Sequence, residues 1–246
     1  MLDPLDQVRA RPDRAAVLTD FDGTLSPIVE DWNAAAPLPG ARHVLEDLAT
    51  RYAVVGVISG RPVSYLVEHL GTKLRLAGLY GLESMVDGER ISADGAEAWR
   101  THVQHAVESA TKRFGTLVEH KGLSMTVHFH TRPELAREIG AWAEREHKHT
   151  GLELRTAKAS VELHPPVEFD KGTVVEAAVG TLASAVFLGD DVGDLPAFDA
   201  LDRLRSNGVH TVKVGVRTAE APPILLARAD LVVEGPTGAL ALLQTL

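Results

Sequence analysis

Two carboxylates stand one residue apart at the end of an apolar run in AVLTDFDGTL, residues 16–25: Asp20 and Asp22, followed at once by Gly23 and Thr24. A carboxylate at the end of a buried strand can attack phosphorus and form an aspartyl-phosphate. It can equally offer a hard oxygen to a divalent cation. The second carboxylate is close enough to pass a proton to and from the same substrate oxygen. Gly23 lets backbone N–H groups approach a phosphate, and Thr24 adds a hydroxyl. A plain surface turn also uses Asp and Gly. A calcium loop does not fit, because its acidic spacing stops after Gly23.

A second acidic stretch, FLGDDVGDLPAF, carries Asp190, Asp191 and Asp194 just after another apolar run. Three carboxylates so close repel one another unless a cation or a proton intervenes. The donors are all oxygen, which suits magnesium. An acidic helix N-terminus explains Asp194 alone and leaves Asp190 and Asp191 unexplained. In VISGRP, Ser59 ends a further apolar run, with Gly60 and Arg61 behind it. Its hydroxyl and the adjacent N–H groups can hold a phosphoryl oxygen. In FDKGT, Lys171 begins a helical pattern, so its ammonium and the helix N-terminus can both face an anion. Taken singly, these are also an ordinary serine turn and a solvated lysine. The order Asp-x-Asp, Ser, Lys, Gly-Asp-Asp is far more specific.

The elements that must position these groups alternate. AAVLT, YAVVGVIS and LRLAGLYG read as strands, separated by helical patterns in PGARHVLEDLATR and RPVSYLVEHLG. After residue 168 the rhythm resumes, with strands in SAVFLG, HTVKVGV and DLVVEG between helices. Such alternation predicts a parallel sheet with helices on both faces, whose ligands sit at the carboxyl ends of the strands. The middle differs: helix, two strands, helix, two strands, with a tight turn at Gly122 that makes the flanking strands antiparallel. The expected fold class is α/β, with an inserted α+β unit. The expected domains are residues 1–87 with 169–246, and 88–168.

Alternation sorts the insert's strands into faces. Met125, Val127 and Phe129 lie opposite Ser124, Thr126, His128 and His130. Ala159, Val161 and Leu163 lie opposite Lys158, Ser160, Glu162 and His164. Glu119 and Lys121 share a face with Leu117. The polar face is a solvated sheet surface or a binding surface for a hydroxyl-rich ligand. His128 and His130 share a face, but a zinc site lacks an evident third ligand.

The bulk numbers bound the rest. A chain of 246 residues with 45% hydrophobic and 24% charged residues is an ordinary globular protein. A formal net charge of −9 argues against nucleic acid as a partner. The absence of cysteine excludes disulfides and thiolate metal sites. No apolar run reaches the roughly 18 residues of a membrane span, and the first residues carry no secretory signal. The expectation is a cytoplasmic protein without a membrane partner, a monomer with a dimer as the alternative.

The four motifs, in this order, resemble the haloacid dehalogenase superfamily of phosphohydrolases. DFDGTLSPI, VISGRP, VEHKGLSMTVHFH, ASVELHPP, FDKG and FLGDDVGDLPAFDAL resemble, more narrowly, its trehalose-6-phosphate phosphatase family, over nearly the whole chain. The resemblance implies a Rossmann-like core carrying a smaller cap with an antiparallel sheet. It implies Asp20 as nucleophile and magnesium ligand, and Asp22 as proton carrier and backbone-carbonyl ligand. Asp190 would be a direct ligand, and Asp191 and Asp194 supports of the ligand shell or of Lys171. Ser59 and Lys171 would hold the phosphoryl group, with Gly23, Thr24, Gly60 and Arg61 around the substrate. Glu119, Lys121 and Glu162, with His128 and Lys158, would meet the sugar. Gly193, Leu195 and Tyr80 depart from the family's pattern. The expected reaction is magnesium-dependent hydrolysis of trehalose 6-phosphate beneath a mobile cap. The rivals are a phosphatase of a trehalose-like pseudo-disaccharide or glycosyl-glycerate phosphate, a phosphomutase, and a catalytically silent sugar-binding protein.

Overall fold

In the computed structural model, which describes residues 3–29, 34–157 and 159–246, the apolar runs become strands. Along the chain come α1 (Asp6–Ala10), β1 (Ala15–Thr19), α2 (Ala41–Ala49), β2 (Val54–Ile58), α3 (Val63–Leu70), β3 (Arg75–Gly78), β4 (Glu83–Val86) and β5 (Glu89–Ser92). Next are α4 (Arg100–Phe114), β6 (Val118–His120), β7 (Met125–His128), α5 (Ala136–Thr150), β8 (Glu153–Ala157) and β9 (Ser160–His164). The chain ends with α6 (Lys171–Val179), β10 (Ser184–Gly189), α7 (Leu195–Ser206), β11 (His210–Arg217), α8 (Pro223–Arg228), β12 (Leu231–Glu234) and α9 (Gly235–Gln244). Two units result, Met1–Ile91 with Phe169–Leu246, and Ser92–Glu168.

The larger unit holds a sheet in the order β12-β11-β10-β1-β2-β3-β4-β5. From β12 to β3 neighbouring strands are parallel. β4 runs antiparallel to β3. The sequence expectation was a parallel sheet alone; β4 and β5 extend it, joined through Asp87 and Gly88, both with positive φ. An Asp-Gly pair between two short runs is a hairpin signal. Every residue of β1, β2 and β10 is buried, because helices cover both faces. On one side Val17, Val57 and Leu188 pack with Leu45 and Leu48 of α2, Leu66 of α3 and Leu243 of α9. On the other, Leu18, Ile58 and Phe187 pack with Val175 and Val179 of α6 and Phe198 and Leu201 of α7. Strand order runs outward in opposite senses from the β1/β10 pair. Such a switch point opens a crevice at the carboxyl ends of the two strands.

The smaller unit is an antiparallel sheet in the order β6-β7-β9-β8. Met125, Val127, Val161 and Leu163 meet Val103, Ala106 and Ala110 of α4 and Ile139 and Trp142 of α5. The opposite face is not a solvated surface: Ser124, Thr126 and Glu162 are buried there. Among the described residues, no helix is long and apolar enough to cross a membrane.

Candidate active site

β1 delivers Asp20 to the switch point. Its N–H donates to the Leu188 carbonyl of β10 at 2.8 Å, so the ladder continues one residue past the strand. Phe21 then turns into the core, and its carbonyl accepts from the N–H groups of Thr24, Leu25 and Ser26. The tight turn brings Gly23 against Asp190. Gly23 has φ +79°, and a Cβ there would stand 2.1 Å from Asp190 Oδ2. Backbone and space both require glycine at this position.

Lys171 is the first residue of α6, and its position is set by a capping box. Thr173 N–H donates to Asp170 Oδ1 at 2.8 Å, and Asp170 N–H donates back to Thr173 Oγ1 at 3.2 Å. The Lys171 ammonium donates to Asp20 Oδ1 at 2.5 Å and to Asp194 Oδ1 at 2.6 Å. The other oxygen of Asp194 accepts from the N–H groups of Asp190 and Asp191 at 2.9 and 3.0 Å. Asp194 is therefore a tether: one oxygen fixes the turn after β10, the other fixes Lys171. A Cβ at Gly189 would stand 2.4 Å from its Cγ. Asp191 is exposed, and its carboxylate accepts from Val192 N–H at 2.5 Å as a cap.

Ligand oxygens of Asp20, Asp190 and Asp194 lie within 4.8 Å of one another, all on buried residues. Three carboxylates face one ammonium. Burial pushes Asp20 well above the usual carboxylate range, against the pull of Lys171. Burial, with Asp194 beside it, pushes Asp190 up to about 7. Burial opposes the charge on Lys171, but Asp194 and Asp20 overcome it and raise its pKa. Excess buried negative charge, oxygen-only donors and a side-chain-free approach at Gly23 fit a small hard divalent cation. Asp190 is held from both sides by hydroxyls: Thr24 Oγ1 lies 3.5 Å from Oδ1 and Thr218 Oγ1 lies 3.3 Å from Oδ2.

The carboxylate of Asp22 stands apart from this cluster. Arg61 Nε and Nη2 donate to its two oxygens at 2.9 and 2.8 Å. The same guanidinium lies 4.7 Å from the Tyr65 ring centroid. Ser59 is buried at the end of β2, and its Oγ accepts from Arg61 N–H at 3.1 Å. Gly60 follows, packed beneath the Tyr80 ring.

The smaller unit gathers a separate group on the polar face of its sheet. Register puts Glu119, Thr126, Glu162 and Arg155 in one cross-strand row. Lys121 Nζ lies 3.7 Å from both Glu119 Oε2 and Glu162 Oε1. His128 Nε2 lies 2.9 Å from Glu119 Oε2, and Ser124 Oγ donates to Glu162 Oε1 at 2.8 Å. Arg155 Nη1 lies 3.5 Å from Glu162 Oε2. Thr126 Oγ1, between the two glutamates in register, is buried and has no hydrogen-bond partner among the described residues. Lys158 lies outside the described residues.

Ser124, Arg155 and Thr218 were not among the expected site residues. Alternation in LELRTA puts Arg155 two residues from Glu153 on one face, and Ser124 was already on the polar face, so both had a signal. Thr218 had none: it lies beyond β11, and only the sheet brings it to Asp190.

A family profile described as trehalose-phosphatase matches residues 18–223. Among curated proteins, the trehalose-phosphate phosphatase of Mycobacterium leprae is 31% identical over 225 residues, covering 84% of this chain and 52% of the relative. That of Mycobacterium avium is 33% identical over 216 residues, covering 82% and 54%. The chain thus spans about half the length of the curated relatives it matches. A crystal structure described as a trehalose-6-phosphate phosphatase related protein superposes with a TM-score of 0.77 at 21% identity, covering 94% of this chain and 96% of the other. The C-terminal domain of the Candida albicans trehalose-6-phosphate phosphatase gives 0.73 at 24% identity, covering 99% and 96%. These two likenesses are likenesses of fold.

Proposed function

Because the chain belongs to the trehalose-phosphatase family, we propose that it hydrolyses trehalose 6-phosphate to trehalose and inorganic phosphate through an aspartyl-phosphate on Asp20. The observation that carries this reading is the buried cluster of Asp20, Lys171, Asp190 and Asp194 at the sheet's switch point. A buried carboxylate beside a fixed ammonium suits attack on an anionic substrate.

Asp20 and Asp190, with the backbone carbonyl of Asp22, would hold magnesium. The ion, when bound, supplies positive charge to the phosphoryl oxygens. Lys171 and Ser59 hold the phosphoryl group, and the ammonium favours the ionised Asp20 that attacks in line, against the burial that opposes its charge. Asp22 gives a proton to the departing sugar oxygen, then takes one from the water that opens the aspartyl-phosphate. For that transfer an Arg61 N–H must release one Asp22 oxygen, and a phosphate dianion is a competing partner for the guanidinium. Asp191 and Asp194 support the turn that presents Asp190.

In the smaller unit, Glu119, Lys121, Glu162 and His128 would bind the sugar hydroxyls. The orphaned Thr126 hydroxyl in the same row supports a polar ligand there. Lys121→Ala will raise KM for trehalose 6-phosphate by about ten- to a hundredfold, the worth of one or two charged hydrogen bonds. Its rate on p-nitrophenyl phosphate, which has no sugar, will stay within about twofold of wild type. Loss on both substrates would contradict the division of labour.

Metal and pH are linked through Asp190. Its carboxyl ionises near 3.8 ordinarily and at about 7 in the fold. Between those values the unfolded chain gives up the proton first, so the metal-free protein loses stability as pH rises through that window. A cation that binds the ionised form cancels the loss. Magnesium will therefore raise Tm more at about pH 8 than at about pH 5. An equal shift at both, read by calorimetry, would remove Asp190 from the ligand set.

Phosphate release from a panel of sugar phosphates, with and without magnesium, tests the function. Equal turnover of many hexose phosphates rejects the trehalose reading. A need for a bisphosphate activator would favour a phosphomutase.

A further inference from the structure

The turn after β3 is laced to the Ser59 turn. Leu79 N–H donates to the Arg61 carbonyl at 3.0 Å, and Tyr80 N–H donates to the Ser59 carbonyl at 2.9 Å. Both residues are left-handed, Leu79 at φ 52° and Tyr80 at φ 60°, ψ 16°. Two consecutive side-chain-bearing residues in that region are strained, and glycine would relieve each of them. Such strain persists where the surroundings hold it.

The surroundings here are two glycines. A Cβ on Gly60 would stand 2.7 Å from Tyr80 Cζ and 2.8 Å from its Oη, and one on Gly193 would stand 3.8 Å from Cε1. Neither glycine has a positive φ. At Gly60 it is the ring, not the backbone, that excludes a side chain. Gly60 follows β2 and Gly193 follows β10, the two strands that flank β1. One ring thus stands against the Ser59 turn and beside the Asp190 turn, close enough that a methyl on Gly193 would meet it.

We propose that Tyr80 is a positioning residue of the phosphoryl site. Its ring braces the Ser59 turn against the Asp190 turn and fixes the separation of Ser59, which holds a phosphoryl oxygen, from Asp190, which would hold the cation. The proposal rests on the phosphatase reading, because it assigns those turns to a phosphoryl group and its cation.

Four variants assayed on trehalose 6-phosphate and on p-nitrophenyl phosphate test it. Tyr80→Phe keeps the ring and will retain at least about ten times the kcat of Tyr80→Gly on both esters. Tyr80→Gly removes the brace and the strain together; Tm will hold or rise, while kcat falls about ten- to a hundredfold on both esters, the cost of a misplaced reacting group. Gly60→Ala will reproduce that loss with Tyr80 present, because its methyl displaces the ring. Gly60→Ala added to Tyr80→Gly will cost nothing further, since the obstacle has gone. Wild-type kcat in Tyr80→Gly, or losses at the two positions that multiply, overturns the proposal. The wild-type rates judge the other reading separately. Turnover of p-nitrophenyl phosphate without trehalose 6-phosphate rejects the sugar and leaves the Tyr80 comparison intact, whereas turnover of neither ester overturns both.

Discussion

Asparagine in place of Asp20 lowers phosphate release by roughly four orders of magnitude or more, the usual scale for loss of a nucleophile, and leaves the fold standing. The substitution is isosteric, and the amide oxygen can still accept from the Lys171 ammonium that now reaches Asp20 at 2.5 Å. It also removes one of the three carboxylates crowded within 4.8 Å. Burial disfavours the charge on Asp20, so the metal-free variant keeps its Tm or gains. Loss of activity with equal or greater stability separates a missing nucleophile from a damaged fold. Single-turnover phosphate release and a thermal melt in chelator measure the two halves. Undiminished release would refute the aspartyl-phosphate, and a collapse in Tm would mean that Asp20 is structural.

Lys171→Met has the opposite signature in stability. The methionine keeps the length of the chain and removes the buried ammonium, leaving Asp20, Asp190 and Asp194 to face one another without a counter-charge. Removing one partner of a buried ion pair costs about 3–5 kcal/mol, a fall in Tm on the order of 10 °C for a chain this size. Activity is lost as well, because neither Asp20 nor the phosphoryl group is neutralised. Asp194→Asn added to Lys171→Met removes one of the stranded charges. The double variant recovers part of the stability and none of the activity. Urea melts of the single and double variants test this, and a Lys171→Met protein as stable as wild type would show that the ammonium carries no electrostatic load.

That the charged groups meet was more legible in the sequence than how they pair. Asp20, Lys171 and Asp190 each end a strand or begin a helix whose pattern is local, so their convergence follows from an α/β alternation that single residues announce. The resemblance offered Asp194 as a support of the ligand shell or of Lys171; that one carboxylate serves Lys171 and the N–H groups of Asp190 and Asp191 at once could not be read, because it depends on which way each oxygen points. The same limit hid the pairing of Asp22 with Arg61, thirty-nine residues away. In the smaller unit, alternation assigned faces to Glu119, Lys121 and Glu162, but not that the polar face is buried. β4 and β5 escaped notice because their residues are mixed in polarity; only the Asp87–Gly88 turn signalled a hairpin.

β5 has a consequence for how such a chain can change over time. It is one edge strand of the larger sheet, and the smaller unit is spliced into the chain at its end and rejoins just before α6. The splice points lie outside the parallel ladder that carries Asp20, Ser59 and Asp190. Lengthening, trimming or exchanging the spliced segment therefore breaks none of the ladder hydrogen bonds that hold those groups. A lineage can vary that segment while the strands that present Asp20, Ser59 and Asp190 are inherited unaltered.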